Sequence, residues 1–389
     1  MSELGTDGTD VPTERIEEFL RTERPATPFV VIDLDVVRTR YEEFVAALPG
    51  VAAFYAVKAN PAPPVLELLV QLGASFDAAS PAEIDACLAA GADPARISYG
   101  NTIKKERWIA DAYDKGVRNF AIDSSAELDK VVRVAPGATV CCRILFDGAG
   151  SDWPLSRKFG CEPHLAGRLL LDAAARGLGV GISFHVGSQQ RDVQAWSRAL
   201  ELVADCYAML RTHGVEPTIL NIGGGFPGHY VESAPAISSY GPAILDALRH
   251  HLGPDLPFVI AEPGRYLVAD AGVLRTEVIL VARKSDDADE PRWVYLDVGV
   301  FGGLGETAAE AIRYRFRTPR RGASGLVVLA GPTCDSADVM YEHSGYHMPM
   351  TLEAGDLVDV LSAGAYTTTY ATAGFNGFAP PDVYYLPPR

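Results

Sequence analysis

The chain is poor in several things that would place it quickly. No apolar run in its 389 residues approaches the ~18 needed to cross a membrane. Its opening residues, MSELGTDGTD, are acidic and polar, unlike a signal peptide, so the cytoplasm is the expected compartment. Basic residues are outnumbered, 34 Lys and Arg against 50 Asp and Glu, for a formal charge of -16, and no Lys/Arg block is present. Phosphate backbones need a basic surface, so a nucleic-acid partner is excluded, while a cationic substrate is compatible. The six cysteines (Cys87, Cys141, Cys142, Cys161, Cys206 and Cys334) form no CxxC pair and no cluster with histidine at zinc-ligand spacing. No metal site is expected, and all but Cys334 read as reduced, buried small residues. There is no internal repeat and no low-complexity tract.

What is present is an alternation. After a tail and a short helical pattern over Thr13–Thr22, which Pro25 and Pro28 end, short apolar runs alternate with segments of helical period. The runs are Ala52–Lys58, Ser75–Ser80, Ile97–Gly100, Asn119–Ser124, Thr139–Leu145, Gly181–Gly187, Thr218–Gly225 and Phe258–Gly264. Amphipathic segments such as Pro64–Leu72, Lys105–Lys115 and Ile237–His251 lie between them. Eight βα units predict an α/β chain built on a (β/α)8 TIM-type barrel rather than a doubly wound sheet. Beyond residue 271 the runs shorten and long helices cease, which predicts a second, mostly antiparallel β-domain. The expected organisation is a tail and helix over 1–27, a strand over 28–34 joining the β-domain, the barrel over 35–271, and the β-domain over 272–389. The stretch DDADEP at 286–291 is expected to be an exposed hairpin loop.

Barrel active sites lie where strands end. The strand ends collect Lys58, Asp77, Arg143, His185 with Ser188, Gly223-Gly224-Gly225, and Glu262 with Arg265. Taken singly each has a bland reading: a strand-capping lysine that snorkels to water, a structural histidine, a tight glycine turn, a surface ion pair. Taken together they describe a chemistry. A lysine desolvated at a strand mouth adds to an aldehyde as a Schiff base, three glycines aim backbone N–H groups at an anion, and a carboxylate and guanidinium three residues apart suit the two ends of one cofactor.

These segments resemble the alanine racemase-fold, or fold type III, pyridoxal phosphate enzymes, and within them the ornithine/lysine decarboxylase group. The motifs run in order from Pro28 to Leu386 as YAVKAN, FDAASPAEI, WPLSRKFG, SFHVGSQ, NIGGGFPG, AEPGRY, GPTCDSAD and GAYTTTYATAGFNGF. The resemblance implies pyridoxal 5'-phosphate as cofactor, anchored on Lys58 with His185 stacked on its ring and Glu262 paired with the ring nitrogen. Ser188, the Gly223–Gly225 backbone, Arg265 and Tyr366 would hold the phosphate, and Asp77, Glu83 and Arg143 would line the pocket. It also implies a homodimer with shared active sites, in which Cys334 of one copy returns a proton to the substrate's Cα and Asp335 meets the distal ammonium. Phe375 would line the substrate pocket.

The Cys334-Asp335 pair and the WPLSRKFG stretch look like the enzymes acting on basic amino acids. They favour L-ornithine, giving putrescine for polyamine biosynthesis, over lysine or dual specificity, and over diaminopimelate. Counting from Asp297 without gaps sets Glu310 at the second acidic position for the distal amine, with Glu306 as rival and Ala309 where eukaryotic enzymes carry an aromatic. Two readings of other classes are a racemase, opposed by GPTCD and GFNGF, and a cofactor-free regulatory homologue, opposed by Lys58, Glu262, Arg265 and Cys334 standing together.

Overall fold

The computed structural model describes residues 12–154, 158–287 and 290–389. The first residues of the acidic tail, Leu155–Arg157 of the WPLSRKFG stretch and part of the DDADEP loop lie outside the described residues. The chain divides into two compact bodies. One comprises Arg38–Pro227 and Ala234–Tyr266, and the other comprises residues up to Val37, Gly228–Ser233 and Leu267–Arg389.

The first body is a closed parallel barrel. Its strands, in chain order, are Val51–Ala56, Ser75–Ala78, Ile97–Tyr99, Asn119–Ile122, Thr139–Arg143, Gly179–Ser183, Ile219–Asn221 and Phe258–Ala261. Each pairs with the next, and Val259 to Ala261 close the ring on Val51 to Ala53. All eight expected runs are barrel strands, and each is short because the apolar residues end where the rim begins. Proline starts several of the intervening helices, as at Pro63–Gln71, Pro81–Ala89 and Pro163–Ala175, where its missing N–H leaves no helical bond unmade. Ser80 caps the second of these by accepting from Glu83 N at 3.3 Å. No helix of the described residues is long and apolar enough to span a membrane.

The second body is a nine-stranded, mostly antiparallel sheet. Phe29–Asp33 enters it at the start of the chain, antiparallel to Gly272–Ala282 and parallel to Asp382–Leu386, so both chain ends build one sheet. The helix Glu14–Thr22, capped by Thr13, sets Ile16 and Leu20 against Phe29, Val31, Val273 and Leu361. Arg275 makes a two-pronged bond to Asp359 across neighbouring strands at 2.7 and 3.0 Å. Strands Phe316–Arg317 and Val339–Met340, two residues each, are too short to show a period, and the pattern did not predict them. Nor did it predict the ribbon formed by Ser151–Trp153 with Ser188–Gln190, whose three-residue strands are polar apart from Trp153.

Candidate active site

Lys58 stands just past the first barrel strand, in the 3-10 turn Val57–Ala59. Its side chain is 44% exposed, with Nζ 3.9 Å from Asp77 Oδ2. Lys58 stands at the strand mouth as expected, but the expected desolvation is corrected: the strand ends at Ala56 and the turn that follows leaves the side chain partly in water. The buried ammonium of the barrel is Lys104, whose side chain has no exposure and sits 2.9 Å from Glu127 Oε1. Burial, opposed by Glu127, lowers Lys104 to about 8. It donates to the carbonyls of Asn101 at 2.7 Å and Ala121 at 2.6 Å, a structural pin between neighbouring strand ends.

Asp77 is buried on the second strand. Burial first, and then the Glu262 charge, hold its carboxyl well above the usual carboxylate range despite Lys58 and Arg143 nearby. Glu83 serves its own helix: its carboxylate accepts from Ala79 N at 2.7 Å. Burial raises its affinity for a proton as well.

Arg143, His185 and Glu262 line one small cavity at the C-terminal end of the barrel, with Asn221, Cys141 and Gly100. Arg143 ends the fifth strand and lies 5.6 Å from the Phe159 ring centre. His185 follows the sixth strand, and its Nδ1 accepts from Gly187 N at 3.0 Å, which leaves the proton of the neutral ring on Nε2. Burial, then the Arg143 and Lys58 charges, push its pKa well below the usual imidazole value, so the ring is neutral.

The glycine loop packs into this end of the barrel so closely that side chains are excluded. A Cβ on Gly223 would lie 2.2 Å from Phe184 O, and one on Gly224 would lie 2.6 Å from Glu262 O and 3.1 Å from His185 Nε2. Gly223 also has a φ of +68°, open to glycine without strain. Behind the loop, Phe226 is buried at 5.0 Å from the Trp196 ring and 4.9 Å from Phe44. Trp196 Nε1 donates to Ile222 O at 3.2 Å. Arg265, buried at the start of the helix Arg265–Val268, donates to Ser188 Oγ at 3.1 Å.

Two residues of this site were missed. Asn221 donates from Nδ2 to Glu262 Oε1 and accepts from Gly223 N at 2.8 Å, tying carboxylate and glycine loop together. Its only sequence signal is its place before Ile222-Gly223. Cys141 lines the cavity with its thiol driven up to about 12 by burial and Glu262, too basic to act as a nucleophile.

The β-domain holds the remaining predicted residues on loops. Cys334 is exposed. Asp335 Oδ1 accepts from Ala337 N at 2.9 Å, a turn closed on itself. Beneath them the buried Asp338 accepts from Thr333 N, Thr333 Oγ1 and Val300 N at 3.1, 2.7 and 2.8 Å. Phe375 is partly exposed, its ring 4.8 Å from Phe301. Tyr366 has a φ of +60° and lies 5.7 Å from the Tyr370 ring. Glu310 accepts from His343 N at 2.6 Å at the end of the turn Gly305–Glu310, whereas its rival Glu306 is buried.

Comparison with known proteins bears on this geometry. Residues 34–269 match the family model for the pyridoxal-dependent decarboxylase pyridoxal-binding domain. The lysine/ornithine decarboxylase of Selenomonas ruminantium is 35% identical over 358 residues, covering 91% of this chain and 88% of that protein. Antizyme inhibitor 2 of Xenopus laevis is also 35% identical, over all of this chain and 87% of its own. The agmatine-bound arginine decarboxylase of Paramecium bursaria Chlorella virus superposes with a TM-score of 0.86 at 30% identity, covering 96% of this chain and 99% of its own. With the family match spanning the barrel and full-length relatives on both sides of the substrate question, this chain belongs to the pyridoxal phosphate-dependent ornithine/lysine/arginine decarboxylase family.

Proposed function

We propose that the chain decarboxylates a basic L-amino acid, with ornithine first and lysine second, and that two copies share their active sites. The observation that carries the reading is the cavity where Glu262, Arg143 and the neutral His185 meet beside a loop too tight for any Cβ. These residues fit pyridoxal phosphate: a fixed carboxylate for its ring nitrogen, an uncharged ring for its face, and backbone N–H groups with a buried guanidinium for its phosphate. When bound, the cofactor supplies the sink for the electron pair left as carbon dioxide departs.

The residues of the chain do the rest. Lys58 would hold the cofactor through Nζ, and its partial exposure lets an incoming amine reach it. Asn221 keeps Glu262 aimed, and Arg143 sets a positive charge beside that carboxylate, while the buried Asp77 on the second strand favours its neutral form. The Gly224–Gly225 backbone, Ser188 and Arg265 would grip the phosphate, the Gly223 N–H being held by Asn221. Cys334, from the second copy, gives its thiol proton to Cα, and Asp335 with Glu310 receives the distal ammonium beside Phe375. The carboxylates of Asp335 and Glu310 select a cationic side chain over the second carboxylate of diaminopimelate. They discriminate weakly between chain lengths, since one methylene in a pocket is worth only ~1–3 kcal/mol.

The test is carbon dioxide release from L- and D-ornithine, lysine, arginine, diaminopimelate and 2,4-diaminobutyrate. The expected order of kcat/KM is L-ornithine, then L-lysine. Arginine or diaminopimelate in the lead would overturn the substrate assignment, and conversion of L- to D-ornithine without gas would make the chain a racemase.

A further inference from the structure

The Cys334 thiol does not orient itself. Asn376 Oδ1 accepts both the Cys334 backbone N–H at 3.0 Å and the Cys334 Sγ–H at 3.3 Å, across 42 residues of chain. A backbone N–H only donates, so the amide must turn its oxygen to the cysteine, and the thiol meets an acceptor. The turn that presents Asn376 is built for this. Asn376 has a φ of +52°, a conformation asparagine tolerates better than most residues, between Gly374 at +90° and Gly377 at +83°. Phe375 anchors the turn on Phe301, and Asp338 fixes the other side of the cysteine loop.

We propose that Asn376 is a positioning residue for proton return, fixing the Cys334 side chain through one acceptor shared by its backbone N–H and its thiol. The inference rests on Cys334 being the proton donor. Because the backbone N–H fixes the amide oxygen toward the cysteine, the thiol meets one anchored acceptor and is held in one rotamer until it turns to the substrate. Both residues are exposed on this chain, and water competes for these bonds until a second copy covers the loop.

The test uses the holoenzyme and two substitutions that tolerate positive φ, Asn376→Gly and Asn376→Asp. Alkylation of Cys334 by iodoacetamide at neutral pH is followed by peptide mass. Removing the acceptor should speed it ~5-fold, the equivalent of one hydrogen bond of about 1 kcal/mol. The aspartate keeps an acceptor but repels a thiolate, and should slow alkylation. A loosened loop would instead speed both. The second readout is product. A proton misdelivered to the cofactor's carbon leads, with one water, to an aldehyde whose oxygen comes from that water, the substrate nitrogen staying on the cofactor. Asn376→Gly should raise the aldehyde fraction severalfold and Asn376→Asp much less. If Cys334→Ala misroutes the product while both Asn376 variants alkylate at the wild-type rate, or both faster, the Asn376 role is overturned alone. If Cys334→Ala makes amine cleanly at the wild-type rate, the proton-donor reading falls and this role with it.

Discussion

At the end of the barrel, Glu262, Asn221, His185 and the glycine loop are held by strand ends, by one another and by the aromatic packing of Phe226, Trp196 and Phe44 behind them. In the β-domain, Cys334, Asp335, Phe375 and Asn376 stand on turns at the surface, tied by a few local hydrogen bonds. The contrast separates two ways of making a site. Buried groups carry shifted proton affinities and are coupled to folding, as with Asp77 and His185. Exposed groups cost the fold little, and their chemistry waits on whatever covers them.

The contrast can be broken at its strongest point first. Lys58→Ala should lower turnover by at least ~10⁴-fold and abolish the absorbance near ~420 nm that follows addition of pyridoxal phosphate. Retained activity would remove Lys58 from the reaction. A sharper division comes from mixing Lys58→Ala and Cys334→Ala subunits and following amine formation, which the first abolishes and the second slows or misroutes. Random exchange makes half the dimers mixed, each with one intact site of two, so activity should recover to about a quarter of wild type. No recovery despite exchange confirmed by mass would mean that each chain completes its own site. The smallest effect is one of stability. His185 has a depressed folded pKa, so below its ordinary value of 6.5 the unfolded chain binds the proton that the folded chain refuses, and stability falls with pH. Denaturant titrations of the cofactor-free protein between pH 7.5 and 5.5 should show wild type losing stability relative to His185→Gln by up to ~1.4 kcal/mol per pH unit, while the opposite contribution of the raised Asp77 carboxyl is common to both proteins and cancels in the difference. Cys334→Ala should leave stability within about 0.5 kcal/mol at every pH, and an equal pH effect in both variants would erase the distinction.

The barrel strands were legible because each buried run is long enough, and separated by enough helical period, to be counted. Lys58 was legible as a rim residue, but its setting was not: the apolar run Ala52–Lys58 looks continuous until the chain turns at Val57. Lys104 shows the converse, a lysine in a loop-like stretch that the fold buries against Glu127. Asn221 carried no pattern of its own, since its role depends on a carboxylate 41 residues away.

By itself the sequence determined the alternation of strand and helix, the order of the chemistry-bearing residues along the rim, and the family, because period and motif are local and survive in one dimension. Only the tertiary structure decided which ammonium is buried, which imidazole stays neutral and what holds Glu262 and Cys334 in place. Those depend on desolvation and on hydrogen bonds between residues far apart in the chain, and both exist only once the chain has closed on itself.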